Sequence, residues 1–118
     1  MSVPDIWRAR MNSRREAVSF CMGLGSVYED YPFHDANWTV MRHIHNKKVF
    51  AYIYERQDHI WINVKCDPQW RDLWRSTFSS VIPAYHMNKE HWNSIILDGS
   101  VPDADIERMI AESYELTK

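Results

Sequence analysis

The chain has 118 residues, 45% of them hydrophobic and 25% charged, a balance that suits one folded domain and excludes a disordered polymer or two separate cores. Its net charge of −2 argues against a surface built throughout to grip phosphate backbones. Two cysteines, Cys21 and Cys66, are too few for a disulfide scaffold and form no C-x-x-C pair, so both are read as reduced thiols.

Residues 1–12 read as an N-terminal extension, with Arg8 and Arg10 beside Ile6 and Trp7, and the apolar pair is expected to dock on the body. No segment has the ~18 continuous apolar residues of a membrane helix, and Met1 to Asp5 holds no basic stretch leading into an apolar run. A cytoplasmic protein without membrane association is expected.

Ser13-Arg14-Arg15-Glu16 is a capping box, which predicts a first helix running to about Met22, with Ala17, Phe20, Cys21 and Leu24 as its inward stripe. Gly23 and Gly25 end it. Glu29-Asp30-Tyr31-Pro32-Phe33 reads as a connecting stretch. Three strands are predicted at about Trp38–His45, Val49–Glu55 and Ile60–Lys65, joined by turns at Asn46-Lys47 and Gln57-Asp58 as an antiparallel meander. In the third, Ile60, Ile62 and Val64 face the core, and Trp61, Asn63 and Lys65 face a partly wet side.

Asp67-Pro68 starts a second helix ending near Thr77, with Trp70, Leu73 and Trp74 expected on its buried side. Short strands follow at Val81-Ile82 and Asn93–Leu97, around the irregular segment Pro83–Trp92, and Asp98-Gly99-Ser100 turns the chain out of the sheet. Pro102-Asp103 opens a last helix with Ile106, Met109, Ile110 and Tyr114 inward. The reading is a single α+β domain over residues 13–118, ordered α-βββ-α-ββ-α, with helices packed on an antiparallel sheet.

No G-x-S-x-G, Gly-rich phosphate loop, H-E-x-x-H or G-x-G-x-x-G occurs, so neither catalysis nor a cofactor is expected. His43 and His45 share a strand face, and with His86 and His91 they offer a weak metal pattern; two solvent-facing histidines near a hairpin tip explain it as well, and no metal is expected. The acidic residues concentrate at the end: residues 96–118 hold Asp98, Asp103, Asp105, Glu107, Glu112 and Glu115 against Arg108 and Lys118, which leaves 12 basic and 10 acidic residues in 1–95. Carboxylates near a helix N-terminal dipole on a solvated face account for most of that cluster.

Three stretches carry recognition chemistry. The segment Pro83–Asn93 gathers donors (His86, Asn88, Lys89, His91, Asn93) and stacking rings (Tyr85, Trp92), the mixture a nucleic-acid or peptide site uses, although Asn88 as a turn cap, Trp92 as a core residue and His86 as a loop tie explain it too. The tip Asn46-Lys47-Lys48, flanked by Arg42, His43 and His45, has the form of a basic wing that enters a DNA groove, or of a solvated hairpin. The row Trp61, Asn63 and Lys65 is a face for stacking bases, a dimer interface or a helix-covered tryptophan.

The segments Glu29-Asp30-Tyr31-Pro32-Phe33, Val64-Lys65-Cys66-Asp67-Pro68, Tyr85-His86-Met87-Asn88-Lys89-Glu90-His91-Trp92-Asn93, Leu97-Asp98-Gly99-Ser100-Val101-Pro102-Asp103 and Ser113-Tyr114 resemble the YjbR/MmcQ family in order and spacing, over residues 13 to 117. That resemblance implies a CyaY-like fold with a double-wing DNA-binding arrangement, and it brings no catalytic residues. The expectation is a non-enzymatic DNA-binding protein using Arg42, Lys47, Lys48, Lys65, His86, Asn88, Lys89, His91 and Trp92, with Lys47, Lys48 and Lys89 on phosphates. The alternative is a protein-interaction module, a homodimer or chaperone-like binder, that buries an aromatic face including Trp61.

Overall fold

The computed structural model describes residues 11–118, so the expected docking of Ile6 and Trp7 lies outside the described residues. Met11, at the end of the expected extension, is buried, and its amide donates to Asp103 Oδ1 at 2.8 Å. The elements run α1 (Arg14–Met22), β1 (Val27–Asp30), β2 (Thr39–His43), β3 (Val49–Arg56), β4 (His59–Lys65), α2 (Pro68–Thr77), β5 (Val81–Pro83), β6 (Trp92–Ile96) and α3 (Asp103–Thr117). The strands form one antiparallel sheet in the order β1-β2-β3-β4-β6-β5, and the chain is α+β.

Local chemistry explains most boundaries. Ser13 caps α1 by accepting the Glu16 amide, and the Glu16 carboxylate reaches back to the Ser13 hydroxyl and the Asn12 amide. Asp67 caps α2 through the Gln69 amide, with Pro68 first in the helix. Left-handed backbone at Lys47, Gln57 and Asp58 makes the two hairpin turns. Gly99 also has positive φ, and the Asp98 carboxylate accepts the Ser100 amide across that turn.

β1 departs from the expected order, which becomes α-ββββ-α-ββ-α. Its sequence, Val-Tyr-Glu-Asp, has one buried residue and no alternating apolar pattern; it is a strand because Val27 to Asp30 pair with His43 to Val40 at the sheet edge. A second departure is the bulge between β2 and β3. Met41 pairs with Ala51 but Arg42 with Val49, so Phe50 is an extra residue, fully buried against His43 and Tyr114.

Met41, Ala51, Ile53, Ile62, Val64 and Ile95 from the sheet meet Ala17 and Cys21 of α1 and Ile106, Met109 and Ile110 of α3 in one core. Phe20, Leu24 and Tyr114 pack at its margin, as their spacing predicts. Both thiols are buried, and loss of solvation pushes Cys21 up to about 12 and Cys66 to about 11, so neither is a thiolate at neutral pH.

The expected inward face of α2 is corrected: Trp70 and Leu73 are 51% and 50% exposed, and only Trp74 packs against the core, its ring stacked on Phe78. The helix lies at the short β5 edge, where too little sheet is available to cover a second apolar row. The solvent-facing reading of His43 also fails. Its side chain is 1% exposed and its Nε2 is 2.8 Å from the Thr117 hydroxyl, because the C-terminal turn of α3 lies over the end of β2.

Candidate functional site

Strand alternation sends the remaining side chains to the face that the helices leave uncovered. Register aligns Val40, Tyr52, Asn63 and Ser94 across β2, β3, β4 and β6, with Tyr54, Trp61 and Ile96 in the next row. Loops cover part of it. Trp38 stacks on Tyr54 with ring centroids 4.1 Å apart, and Tyr85 lies 6.0 Å from Tyr54 and 6.2 Å from Trp61.

Beneath these rings is a buried polar knot. The Tyr54 hydroxyl donates to Asn63 Oδ1 at 2.7 Å, Asn63 Nδ2 donates to the Tyr85 carbonyl at 3.0 Å, and the Ser94 hydroxyl accepts the Tyr85 amide at 2.9 Å. The knot fixes the start of the 84–91 loop onto the sheet. Burial pushes the phenols of Tyr52 and Tyr54 above their usual value, so both remain protonated.

The far half of that loop is tied to α2. The Arg75 guanidinium donates to Asn93 Oδ1 at 2.7 Å and to the carbonyl of Lys89, and Arg71 donates to the Glu90 carbonyl at 3.0 Å. Asn88 accepts the Glu90 amide, the turn-cap role open to it from sequence. Between this loop and the β1–β2 connection lies an apolar cleft of about 450 Å³, lined by Phe33, Asp35, Trp38, Tyr52, His86 and Met87. Phe33 and Tyr52 stand edge-on to Trp38 at 6.1 Å and 6.5 Å.

The hairpin tip is rigidly held. Asn46 accepts the Lys48 amide and donates to the Thr117 carbonyl at 3.0 Å, and Arg42 donates to the Lys47 carbonyl at 2.9 Å. Lys47 and Lys48 are exposed. Arg42 does not join them as a free cation, since its Nε is 2.8 Å from Asp30 Oδ2; it braces the tip.

Lys65 and Trp92 are register partners at the same end of the sheet as that tip, both half-buried, and Trp92 stands edge-on to Tyr52 at 5.6 Å. His86, Asn88, Lys89 and His91 are exposed along the loop that leads into Trp92, and the His91 carbonyl accepts the Cys66 amide. The expected set thus divides into a tip (Lys47, Lys48, braced by Arg42) and a loop edge (His86, Asn88, Lys89, His91) around Lys65 and Trp92. An interface through Trp61 is corrected, because that ring is 3% exposed, under Tyr85 and the Arg56 guanidinium.

Sequence reasoning missed three groups. Tyr52 was legible, because it alternates with Ala51 and Ile53 on a strand whose other face is core. Phe33 and Trp38 reach the cleft from an irregular connection that carries no periodic signal. Arg71 and Arg75 flank Trp74 on the packed side of α2, each about a fifth exposed, and nothing local in the sequence marks their loop contacts. Among the described residues no three His, Cys, Asp or Glu side chains are grouped to hold a metal ion, and no helix is long and apolar enough to cross a membrane.

Comparison with known proteins agrees with this architecture. The Bacillus subtilis protein YyaQ, described as uncharacterized, is 34% identical over 100 residues, covering 75% of this chain and 84% of that protein. The Escherichia coli K12 protein YjbR, described likewise, is 36% identical over 67 residues, 57% of each chain. A crystal structure of a Deinococcus radiodurans protein with a DUF419 domain superposes with a TM-score of 0.81 at 29% identity, covering 90% of this chain and 78% of that one. The family model YjbR matches residues 22–116, most of the chain, and the chain belongs to the YjbR family.

Proposed function

We propose that this protein is a non-enzymatic DNA-binding protein that uses the helix-free sheet face and the β2–β3 hairpin tip. The observation that carries the reading is the braced Lys47-Lys48 tip at the end of the sheet where Lys65 and Trp92 lie side by side. Lys47, Lys48, Lys65 and Lys89 contact phosphates, while the half-buried rings of Tyr52 and Trp92 offer stacking surfaces to bases that leave the helix stack. The acidic α3 packs on the opposite face of the sheet, which keeps its carboxylates away from the approaching backbone.

The test is fluorescence anisotropy of labelled single-stranded and duplex DNA at low and physiological salt. Binding should weaken steeply with salt, and K47E/K48E should lower the slope of log affinity against log salt by roughly 1.5 for two lost contacts. Absence of binding at low salt, where electrostatics are strongest, rejects the reading.

A protein-binding role is the second reading, favoured by the exposed Trp70 and Leu73 one turn apart on α2. Sedimentation of the chain, and of a W70D/L73D variant, reads whether that face joins two copies; a monomer at all concentrations removes the homodimer.

A further inference from the structure

The cleft between the 84–91 loop and the β1–β2 connection has features that the DNA reading does not use. Phe33, Trp38 and Tyr52 bring three aromatic rings to it, Asp35 lines it with them, and His86 and Met87 line it from the loop side. No lysine or arginine is among the lining residues.

The rings meet at steep angles. Phe33 and Tyr52 lie 6.1 Å and 6.5 Å from Trp38, with their planes at 74° and 80° to it. A flat heterocycle laid parallel to the indole would therefore stand steeply to the other two rings. A compact, rounded group suits such walls better, and one cation can stand within about 6 Å of all three ring centres, the reach of cation–π attraction.

The walls are fixed by the fold. Trp38 stacks on Tyr54, which is buried and hydrogen-bonded to Asn63, and Tyr52 is half-buried with Trp38 and Trp92 as ring neighbours. Phe33 is 50% exposed, an aromatic surface left open at the cleft.

Charge points to the same kind of occupant. Asp35 Oδ1 accepts the Asn37 amide at 2.8 Å, which holds the carboxylate in place, and among the described residues Asp35 makes no ion pair. An uncompensated carboxylate beside aromatic rings repels a phosphate and attracts a cation.

We propose that this cleft binds a quaternary ammonium, an organic cation whose charge is spread over methyl groups, with Phe33, Trp38 and Tyr52 around the methyls and the Asp35 carboxylate balancing the charge. Methylation matters because such a cation has no N–H to satisfy, whereas a primary ammonium would turn its donors toward apolar rings. The cleft of about 450 Å³ exceeds a bare tetramethylammonium, which leaves room for a further chain, as in choline. The inference goes beyond the DNA reading and does not rest on it.

The test is a ¹H–¹⁵N NMR titration of the full chain with choline, with its uncharged analogue in which carbon replaces the nitrogen, and with phosphocholine. Saturable shifts are expected at the Trp38 indole N–H, assigned by W38F, and at the amides of Phe33, Asp35, Tyr52, His86 and Met87. The uncharged analogue should bind roughly fivefold or more weakly, and F33A and D35N should each weaken choline roughly three- to tenfold. Phe33 and Asp35 are exposed, so both variants keep the fold, and K47E/K48E should leave choline binding unchanged. Phosphocholine separates the sources: weaker binding than choline fits a free small cation, because the phosphate meets Asp35, and equal or tighter binding assigns the ammonium to a lipid headgroup. Equal binding of the uncharged analogue, shifts that do not saturate, or shifts that map to the acidic α3 would overturn the site. If choline binds while anisotropy shows no DNA binding, the site stands and only the DNA reading falls.

Discussion

Tyr54 and Asn63, on neighbouring strands, make a 2.7 Å hydrogen bond where neither side chain is more than 1% exposed, and through it the aromatic face is fastened to the sheet. Asn63 also donates to the Tyr85 carbonyl, so one amide satisfies a phenol and a loop. N63A should therefore destabilise the fold by about 2–4 kcal/mol, since the Tyr85 carbonyl loses its side-chain donor and the Tyr54 and Ser94 hydroxyls lose the buried acceptor they share. Urea denaturation reads it; a cost under about 1 kcal/mol contradicts the knot.

Arg75 plays the same part from the helix side. R75A removes the bonds to Asn93 and to the Lys89 carbonyl, and is expected to cost about 1.5–3 kcal/mol while speeding amide exchange across residues 88–92 more than in α1. Uniform exchange changes would show that Arg75 supports the domain rather than the loop.

Gly25 has no room for a side chain. A Cβ there meets the Tyr114 hydroxyl at 2.6 Å, and the Tyr114 ring is itself held by His43 and Phe50. G25A should destabilise by about 1–3 kcal/mol, and Y114F should recover part of it by removing the clashing oxygen. Additive effects of the two changes would reject the clash.

His43 sets a pH dependence. Burial, and then the neighbouring His45, hold its imidazole below the usual value, with Lys118 acting in the same direction and Glu115 opposing. The unfolded chain then takes up a proton at about pH 6.5 that the folded one refuses, so stability is full above that pH. It falls as pH drops from about 6.5 toward the lower folded value, by at most about 1.4 kcal/mol per pH unit. Urea midpoints at pH 8 and pH 5.5 should differ in the wild type and less in H43Q; midpoints that rise on acidification contradict the sign.

Local devices were legible in the sequence because their chemistry lies within a few residues. The Ser13–Glu16 box, the Asp67-Pro68 start, the Asn46-Lys47 and Gln57-Asp58 turns and the alternation of Ile60, Ile62 and Val64 all stand where they were expected. What was not legible depends on distant partners. β1 exists through pairing with β2, His43 is buried by the end of α3, and Trp70 and Leu73 stay exposed because the sheet ends beside α2.

The candidate site shows the same division. Lys47, Lys48, His86, Asn88, Lys89 and His91 are exposed, as their polar segments suggested, but the bracing of Arg42 by Asp30 and the covering of Trp61 by Arg56 and Tyr85 are tertiary facts.

The most direct test of the central claim is a residue-by-residue ¹H–¹⁵N shift map of the full chain with a short DNA oligonucleotide at low salt. The expected perturbations concentrate at Lys47, Lys48, Tyr52, Lys65 and residues 86–92, and shrink as salt is raised. A map confined to α1 and α3, or no perturbation at all, would contradict the assignment of the helix-free face as a DNA-binding surface.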